Sequence, residues 1–375
     1  MPAEVLTISV AVSTILRQGE TDLGTEQRAR VPGSRLALGE ELLLCHDRAT
    51  GLLAVIAVDD TTLGPGLGGI RWMPYPTYAD AVDEACRLSQ VMTLKNAVAD
   101  IPYGGAKSVI VREGNAADDP VLREAQLLAF GNYVNRLGGA YVPGVDMGTS
   151  VADLAAIATV APWVSCNHND PSPATALGVF HSVEAAVRHA LQRDLLGVRV
   201  TIQGTGHVGA ALARLLADRG ALVSVADVDG RRAAATAHDI AGTVVAAEEA
   251  HTLPCDVFAP CASARVLHAS AIGELRCAVV VGAANDVLAE RSGADRLAER
   301  GITYVPDFVS NAGGVLQIHA ERAGWDAGRL GLALDAVGQR TADLLDEADR
   351  TRSLPLHVAE RWASVRLGRT VTIPD

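Results

Sequence analysis

The stretch that most constrains the fold is VTIQGTGHVGAALARLLADRGALVSVADVD, residues 200–229. It has the pattern of a buried strand, a glycine-rich turn, an amphipathic helix and a second strand that ends at Asp227. Gly204 permits a tight turn, Gly206 lets a pyrophosphate approach the backbone, and Gly209 lets the helix pack on the strand. The glycines alone are weak evidence, but strand, spacing and acid together predict a dinucleotide-binding unit.

The helix that follows these glycines begins where a phosphate is expected. Its first N–H groups have no partners within the helix and carry a partial positive charge, so they favour an anion. At the end of the second strand, the Asp227 carboxylate can accept both ribose hydroxyls and repel a 2′-phosphate. NAD is therefore favoured over NADP, although the nearby Arg231 and Arg232 weaken that preference. The alternatives are a turn that binds nothing and, for His207, an exposed side chain beside the cofactor. The residues assigned to the cofactor loop are Gly204, Thr205, Gly206, His207, Val208 and Gly209.

The patterns along the chain predict two α/β domains. In the first, ELLLCHD and GLLAVIAVDD form a hairpin, and TYADAVDEACRLSQVMTLKNAVA has the spacing of a helix. In the second, strands and helices alternate, which is typical of a Rossmann-like, doubly wound parallel sheet with helices on both faces. The N-terminal segment has a composition that permits disorder. The predicted bounds are 1–35 for an N-terminal extension, 36–170 for a substrate domain, 171–319 for the NAD-binding domain, 320–350 for helices that pack back on the first domain, and 351–375 for a tail.

Charge and composition exclude several classes of partner. The formal net charge of −12 argues against nucleic acid, because phosphate binding needs clustered Lys and Arg. No apolar stretch reaches the roughly 18 residues of a membrane helix, and no basic region precedes the apolar N-terminal run, so neither membrane nor export is expected. The six cysteines never occur as C-x-x-C, and His and Cys show no zinc spacing. We expect reduced thiols, no metal and a cytoplasmic protein.

Two lysines and an aspartate are candidates for chemistry. Lys107 follows two glycines in PYGGAKSVI, and Lys95 precedes it in MTLKNA. One lysine can hold a substrate carboxylate, while a second, desolvated beside a like charge, has a lowered pKa and can act as a base. The glycines would let backbone and substrate come close. Asp146 lies in the Pro/Gly loop of YVPGVDMGTS, a natural position for a functional carboxylate. Taken singly, a Lys or Asp is more often a solvated surface charge, and the spacing of these three residues alone does not change that.

From about Leu38 to residue 345 the chain resembles the Glu/Leu/Phe/Val amino acid dehydrogenase family. It is more similar to the leucine/phenylalanine/valine branch, phenylalanine dehydrogenases first, than to the longer glutamate dehydrogenases. The resemblance implies a substrate domain of the dimerisation type and a Rossmann domain, with the active site in the cleft between them. It also implies a homo-oligomer that catalyses NAD-linked, reversible oxidative deamination of an L-amino acid to a 2-oxo acid and ammonia. The matching segments occur in family order as GPGLGGIRW, MTLKNA, PYGGAKSVI, VPGVDMGTS, SPATALGVF, GTGHVG, CDVFAPCA, VGAAND and PDFVSNAGGV.

The resemblance also implies a role for single residues. Lys95 matches the lysine that pairs with the substrate carboxylate, Lys107 the catalytic lysine, and Asp146 the aspartate that exchanges protons with the substrate nitrogen. Thr175 resembles a threonine near the nicotinamide amide, and Asn311 an asparagine at the cleft. In the implied mechanism hydride leaves the α-carbon, neutral Lys107 activates water to attack that carbon, and Asp146 protonates the departing amine. The resemblance further assigns Gly68, Gly69 and Asn285 to the substrate site, and Cys261, Ala262, Ala283 and, again, Asn285 to the cofactor.

An apolar substrate is the default, because no cation obviously reaches the substrate side chain. Gly144 leaves room that an alanine would fill and resembles phenylalanine-preferring members, whereas Val315 resembles leucine-preferring ones. One methyl group in an apolar pocket is worth only about 1–3 kcal/mol. We expect a bulky aromatic substrate first, phenylalanine ahead of tryptophan, and branched-chain amino acids next; in the alternative, Gly144 is merely a turn residue. The chain departs from the family at Asp286, where Asn usually follows the residue equivalent to Asn285.

Two rival classes remain open from the sequence. A hydroxy-acid dehydrogenase could share both domains, but such enzymes commonly rely on a His paired with an acid, and no His here lies in a comparable motif. A non-catalytic NAD-binding regulatory protein could have kept the fold. That alternative predicts the loss of Lys95, Lys107 or Asp146, and all three are present.

Overall fold

A computed structural model describes residues 39–112, 119–165 and 169–374. The extension predicted for residues 1–35 lies outside the described residues. The chain divides into two compact units, each with its own sheet. The first unit runs to Ala97 and resumes over Pro102–Asn169, and the second comprises Val98–Ile101 and Asp170–Asp375. The two-domain α/β class predicted from the sequence is confirmed.

The first unit is built on a five-stranded sheet in the order β1-β2-β4-β3-β5. The hairpin predicted from the sequence is present, with Asp47 of β1 opposite Leu52 of β2. β2 pairs antiparallel with β4, whereas β3 runs parallel to both β4 and β5. Its central strands are almost wholly buried, as their apolar runs predict. The strands are β1 (Glu41–Asp47), β2 (Leu52–Asp60), β3 (Gly66–Met73), β4 (Gly104–Val111) and β5 (Tyr141–Val145).

Three helices cover this sheet: α1 (Tyr78–Val98), α2 (Pro120–Arg136) and α3 (Val151–Ala158). The Asp119 carboxylate caps α2 by accepting from the N–H groups of Val121 and Leu122. Ser150 and Asp153 form a capping box at the start of α3. The core between helices and sheet includes the fully buried side chains of Trp72, Phe130 and Tyr141.

The second unit is built on a six-stranded sheet in the order β11-β10-β9-β6-β7-β8. All of its paired strands run parallel. Counted from β6 as the first strand, this is the 3-2-1-4-5-6 order of dinucleotide-binding folds, with the switch point between β6 and β9. The predicted Rossmann-like sheet is therefore confirmed. The strands are β6 (Arg199–Gln203), β7 (Leu222–Ala226), β8 (Thr243–Val244), β9 (Val257–Pro260), β10 (Val279–Val280) and β11 (Thr303–Tyr304).

Helices connect the strands of the second sheet, and further helices follow its last strand, β11. The glycine-rich loop leads into α5, as the sequence pattern predicts. The helices are α4 (Ser172–Leu191), α5 (His207–Asp218), α6 (Gly230–Asp239), α7 (Ala269–Glu274), α8 (Gly293–Glu299), α9 (Asp307–Ser310), α10 (Gly313–Ala323), α11 (Ala327–Thr351) and α12 (Pro355–Leu367), with a 3₁₀ turn at Ala247–Glu249.

Two expectations about the C-terminus are corrected. The helices of residues 320–350 were assigned to the first domain, but α11 packs along α4 of the second unit, where Ser182 Oγ lies 2.9 Å from Thr341 Oγ1. Gly338 sits so close to α4 that a Cβ there would come 2.9 Å from that of His181. The segment predicted as a tail contains α12, in which Leu356, Val358, Ala359, Ala363 and Leu367 are buried. Both expectations failed because helical periodicity shows which face is buried but not against which partner.

No helix among the described residues is long and apolar enough to span a membrane.

Candidate active site

The centre of the first unit is an ion pair between Lys107 and Asp146. Lys107 lies on β4 and Asp146 directly follows β5, so β3 runs between them. The Lys107 Nζ lies 2.5 Å from Asp146 Oδ2, and the two side chains are only 7% and 12% exposed. The structure therefore brings together two of the three charged residues that the sequence singled out.

Gly69 is what allows this pair to form across a strand. It lies on β3 opposite Gly144 of β5, and the pairing of Ile70 with Ser108 puts it level with Lys107. A Cβ on Gly69 would come 2.7 Å from Asp146 Cβ and 3.3 Å from Lys107 Nζ. The lysine side chain therefore crosses β3 over a position that has no side chain. Gly68, by contrast, faces the Ala106 carbonyl oxygen, which a Cβ would meet at 1.6 Å.

Arg71 also contacts this pair, and the sequence analysis missed it. Its Nε donates to Asp146 Oδ2 at 3.2 Å, and its Nη1 forms an ion pair with Glu84 of α1. The Tyr75 hydroxyl donates to the same Glu84 oxygen, Oε1, at 3.0 Å. The sequence could have indicated this contact. Strand side chains alternate between faces, so Arg71, two residues after Gly69 in a buried strand, shares the face of Gly69.

The electrostatics of the pair follow from its burial and its neighbours. Burial lowers the pKa of Lys107, and the Arg71 cation lowers it further, while Asp146 opposes both. Burial alone would raise the pKa of Asp146, but Lys107 and Arg71 outweigh it and hold that pKa below its usual range. Asp146 therefore stays ionised, and Lys107 releases its proton more readily than an ordinary lysine, as a general base requires.

Lys95 lies in the last turn of α1 with 5% of its surface exposed. The next residue, Asn96, holds this turn against the sheet, because its side-chain amide donates to the carbonyl oxygens of Leu67 at 3.2 Å and Gly104 at 2.6 Å. The chain has only two lysines, Lys95 and Lys107, and both are buried. The role of Lys95 towards a substrate carboxylate stays a prediction.

The two glycines before Lys107 serve a different purpose from the one predicted. A Cβ on Gly104 would come 1.7 Å from the Asp60 carbonyl oxygen, and one on Gly105 would come 2.2 Å from the Thr93 backbone nitrogen. These glycines therefore let β2 and α1 pack closely around β4. The expectation that they open the backbone to a substrate was wrong, because both positions face protein.

The glycine-rich loop of the second unit has the geometry that a pyrophosphate needs. Gly204 adopts a positive φ of 102°, and a Cβ on Gly209 would come 1.9 Å from the Gly204 carbonyl oxygen. Gly206 begins α5 without any side-chain cap, and nothing lies within 4 Å of where its Cβ would be. An uncapped helix N-terminus that faces open space fits an anionic cofactor group. His207 is exposed and lies 3.4 Å from Asp170, and Val208 is half-buried in the first turn of α5.

The loop after β9 adjoins the glycine loop, and the loop after β10 in turn adjoins the end of β9. A Cβ on Gly204 would come 2.6 Å from that of Ala262, and one on Gly209 would come 3.3 Å from that of Cys261. After β10, the Ala283 N–H donates to the Pro260 carbonyl oxygen at 2.9 Å. Cys261 and Ala262 thus lie beside the glycine loop at the switch point between β6 and β9, and Ala283 lies one strand further along the sheet. Their contact with a cofactor stays a prediction.

Asn311, directly after α9, is hydrogen-bonded to the loop that follows β10. Its side-chain amide donates to the Ala283 carbonyl oxygen at 3.1 Å and to Asn285 Oδ1 at 3.1 Å. A Cβ on the nearby Gly314 would come 2.8 Å from Thr175 Oγ1. The structure therefore brings Asn285 and Asn311 into contact and places Thr175 beside Gly314, at the start of the helix that follows Asn311. Val315 is buried in α10, with 7% exposed.

Asp286, which departs from the family pattern, adopts a positive φ of 55°. Asp and Asn are the residues, other than Gly, that tolerate this conformation best. Its backbone N–H donates to Asp307 Oδ2 at 2.7 Å. The backbone at this position therefore accounts for the Asp/Asn choice without reference to a ligand.

The Asp227 carboxylate is occupied by protein donors. Oδ2 accepts from the backbone N–H of Thr205 at 2.8 Å and from its hydroxyl at 3.1 Å. Oδ1 accepts from the Asp229 N–H at 2.8 Å and from Arg232 Nη2 at 2.9 Å. The side chain is 6% exposed. The carboxylate thus ties the glycine loop to β7, and its predicted contact with ribose hydroxyls requires Arg232 to give way.

The predicted residues form one cluster in each unit. Gly68 and Gly69 lie on β3, Lys107 on β4 and Gly144 on β5 of the first sheet, and Asp146 directly follows β5. The predicted cofactor residues lie at the carboxyl ends of the second sheet. The cleft that the sequence analysis placed between the domains stays a prediction. In the described ranges no group of three or more His, Cys, Asp or Glu is arranged to hold a metal ion.

Comparison with known proteins gives matches over both units. Residues 42–161 match the family described as Glu/Leu/Phe/Val dehydrogenase, dimerisation domain. Residues 168–241 and 231–328 match Glutamate/Leucine/Phenylalanine/Valine dehydrogenase. The two matches together span most of the chain.

Among similar proteins, the valine dehydrogenase of Streptomyces virginiae is 38% identical over 338 residues, covering 88% of this chain and 93% of that enzyme. The leucine dehydrogenase of Bacillus subtilis is 35% identical over 337 residues, covering 88% and 92%. The crystal structure of L-tryptophan dehydrogenase from Nostoc punctiforme superposes with a TM-score of 0.72 at 34% identity, covering 88% of this chain and 96% of that one.

Proposed function

Because the chain belongs to the Glu/Leu/Phe/Val dehydrogenase family of amino acid dehydrogenases, we propose that it is an NAD-dependent L-amino acid dehydrogenase. Its reaction is the reversible oxidative deamination of an apolar L-amino acid to the 2-oxo acid and ammonia. The observation that carries the proposal is the buried contact of 2.5 Å between Lys107 and Asp146. Burying two charges is costly, and a pair kept at that cost supports a chemical role over a regulatory protein that has lost catalysis.

The scarcity of lysine strengthens the assignment. The chain contains 32 Lys and Arg residues together, and only Lys95 and Lys107 are lysines. Arginine remains charged at all accessible pH values, whereas a buried lysine can release its proton. Arginine thus serves wherever a permanent cation suffices, and lysine is kept at two buried positions. This distribution supports a chemical role for Lys107, the lysine proposed to release its proton.

The proposed chemistry divides the work among three side chains. Lys95 pairs with the substrate carboxylate and fixes its orientation. Neutral Lys107 takes a proton from the water that attacks the oxidised α-carbon, and Asp146 exchanges protons with the substrate nitrogen. Bound NAD supplies the acceptor for the hydride. The uncapped helix start at Gly206 is the part of this chain that would hold its pyrophosphate.

The side chain of the substrate is proposed to be apolar and either branched or aromatic. The named relatives act on leucine, valine and tryptophan, which supports both classes. Gly144, buried opposite Gly69, is the residue that favours the aromatic class. Phenylalanine and tryptophan are therefore proposed alongside leucine and valine, and turnover has to rank them.

Oligomerisation is also part of the proposal. The first unit matches a family model described as a dimerisation domain over residues 42–161. We expect a homo-oligomer assembled through this unit, with its mass in solution as the measurement.

The test is NAD reduction at alkaline pH with L-Phe, L-Trp, L-Leu, L-Val, L-Glu and the corresponding 2-hydroxy acids. Turnover with one or more of the apolar L-amino acids is expected. Turnover with glutamate alone, or with hydroxy acids alone, would overturn the substrate class.

In parallel, Lys107→Met should bind NADH as the wild type does while losing turnover by about a hundredfold or more, since general base catalysis supplies about 10²–10⁴-fold. A Lys107→Met enzyme with full turnover would refute the mechanism.

A further inference from the structure

Arg71 is a buried arginine between two carboxylates of the candidate active site. It is 8% exposed, contacts Asp146 through Nε at 3.2 Å, and pairs with Glu84 through Nη1. Glu84 belongs to α1 and Asp146 follows β5. The guanidinium therefore links helix to sheet at the position of the predicted proton-transfer groups.

We infer that Arg71 is a positioning residue for the reaction, which fixes the Asp146 carboxylate and keeps a permanent positive charge beside the Lys107 amine. The inference rests on the proposed function. The family comparison and the sequence motifs assign no role to this residue.

The contacts around Asp146 hold its carboxylate in one orientation. Arg71 and Lys107 both contact the same oxygen of Asp146, Oδ2. Two donors on one oxygen fix the rotation of the carboxylate, and Thr149 fixes the backbone, because its hydroxyl lies 3.0 Å from the Asp146 nitrogen and 2.9 Å from the Ile70 carbonyl oxygen. Orientation within a few tenths of an ångström is what proton transfer between fixed groups requires.

The charged residues around Arg71 form a cluster whose charges balance. It contains two cations, Lys107 and Arg71, and two anions, Asp146 and Glu84, with the Tyr75 hydroxyl donating to Glu84. Arg71 cannot lose its proton at accessible pH. Whenever one proton must leave the cluster, the lysine is therefore the cation that releases it. Without Arg71, Asp146 would lose the arginine that shares its Oδ2 with Lys107, and the Lys107–Asp146 pair would hold its proton more firmly.

A third observation is that a lysine could not replace Arg71. The guanidinium reaches Asp146 and Glu84 with two different nitrogens, whereas an ammonium is a single point charge. The groups that face Arg71 come from every neighbouring segment: Asp146 after β5, Lys107 on β4, Glu84 on α1 and Tyr75 after β3. The bridging geometry is specific to arginine.

The experiment compares Arg71→Met and Arg71→Lys with the wild type by two readouts. The first is the pH profile of kcat with the best amino acid found in the panel. The second is the titration of Lys107 itself by NMR after labelling with ¹³C at lysine Cε. Because the chain has only two lysines, two side-chain signals are expected, and Lys107→Met assigns them.

For Arg71→Met we expect kcat to fall about a hundredfold, as for a misplacement of about 1 Å. We also expect the acidic limb of the profile and the Lys107 titration to move to higher pH by about one unit or more. In Arg71→Lys the Lys107 titration should stay near the wild-type pH, because the positive charge at position 71 is retained. The kcat should still fall, because an ammonium group cannot bridge Asp146 and Glu84 as the guanidinium does. Arg291→Met, which removes an arginine paired with the buried Glu360 in the second unit, is the matched control and should destabilise the protein without moving either titration.

Two results would overturn the inference. One is an Arg71→Met enzyme with unchanged kcat and an unchanged Lys107 titration. The other is an equal shift in the Arg291→Met control, which would show a general effect of lost stability. Failure of the proposed function can be told apart from failure of this inference. If the wild type turned over no amino acid, the proposed function would fail, and the NMR titration would still test the electrostatic effect of Arg71 on Lys107.

Discussion

Arg232 donates from Nη2 to Asp227 Oδ1 at 2.9 Å, so the carboxylate at the end of β7 is paired with an arginine from the next helix. Burial raises the pKa of Asp227, but the donors on Thr205 and Asp229 and the Arg232 cation outweigh it and lower that pKa overall. The group that should reject a 2′-phosphate is therefore ionised yet partly neutralised by a neighbour. This pair sets the first prediction, on cofactor preference.

Arg232→Ala is expected to sharpen the preference for NAD. Removing the guanidinium frees one acceptor position on Asp227 for a ribose hydroxyl and removes the cation that tolerates a 2′-phosphate. A hydrogen bond to a charged group contributes about 1.5–3 kcal/mol, so we expect the ratio of kcat/KM for NAD over NADP to rise about tenfold or more. Arg231→Ala is the matched control, since the Arg231 side chain is 97% exposed and 3.7 Å from Asp229. Equal ratios in both variants would contradict the prediction.

Gly69→Ala is expected to damage the Lys107–Asp146 pair without unfolding the first unit. The new methyl would lie 2.7 Å from Asp146 Cβ and 3.3 Å from Lys107 Nζ, so at least one side chain must shift. A shift of about 1 Å costs about a hundredfold in rate. We expect that loss in kcat, measured with the preferred amino acid.

The control for Gly69→Ala is Gly331→Ala, at a helical position where nothing lies within 4 Å of the new Cβ. There the substitution should stabilise the protein by about 0.5–1 kcal/mol and leave kcat unchanged. Similar kcat losses in both variants would show that the effect at Gly69 is not local.

Asp146→Asn is expected to destabilise the protein strongly, and Lys107→Met is expected to reverse part of that loss. The single change leaves two buried cations, Lys107 and Arg71, without their shared anion, and breaking such a pair costs about 3–5 kcal/mol. Removing Lys107 as well takes away one unpaired charge. Urea unfolding of the wild type, both single variants and the double variant gives the coupling energy. Additive losses would contradict the ion pair.

The same comparison has a defined pH dependence. The pKa of Asp146 is lower in the folded protein than its usual value, so its stabilising contribution is present above the unfolded pKa of about 3.9. It is lost as the pH falls through the folded pKa. The difference in unfolding free energy between wild type and Asp146→Asn should therefore be full at pH 7 and shrink below about pH 4. A difference that grew towards acid would have the wrong sign.

The fold could be predicted from the sequence where local patterns determine it. The glycine loop, the alternation of strands and helices and the hairpin all depend on short-range rules, and the structure reproduces them. Helix α11 was assigned to the wrong unit because its apolar stripe shows which face is buried and not which element covers it; the structure packs it along α4. The helix α12 was missed because its buried residues are interrupted by charges in LHVAERWASVRL.

The site was predictable in its residues but only partly in their contacts. Lys107 and Asp146 follow from the motifs, and the scarcity of lysine could have separated Lys95 and Lys107 from ordinary surface charges. Arg71 was passed over because a motif shows a residue type without its neighbours. The like charge beside Lys107 was expected from Lys95, whereas the structure shows Arg71 supplying it. The register between β3 and β4 brings the two side chains together, and no local pattern specifies that register.

Gly206→Ala is expected to weaken cofactor binding while leaving the fold intact. Gly206 has a φ of −66°, which alanine adopts freely, and no atom lies within 4 Å of the new Cβ, so the melting temperature should not fall. The methyl would occupy the space in which the pyrophosphate meets the helix N-terminus. Overpacking of this kind costs about 1–3 kcal/mol, so we expect the Kd for NADH to rise about five- to a hundredfold. Gly209→Ala provides the contrast, because its Cβ would come 1.9 Å from the Gly204 carbonyl oxygen and should lower the melting temperature as well. An unchanged NADH affinity in Gly206→Ala would mean that the pyrophosphate does not bind at this helix.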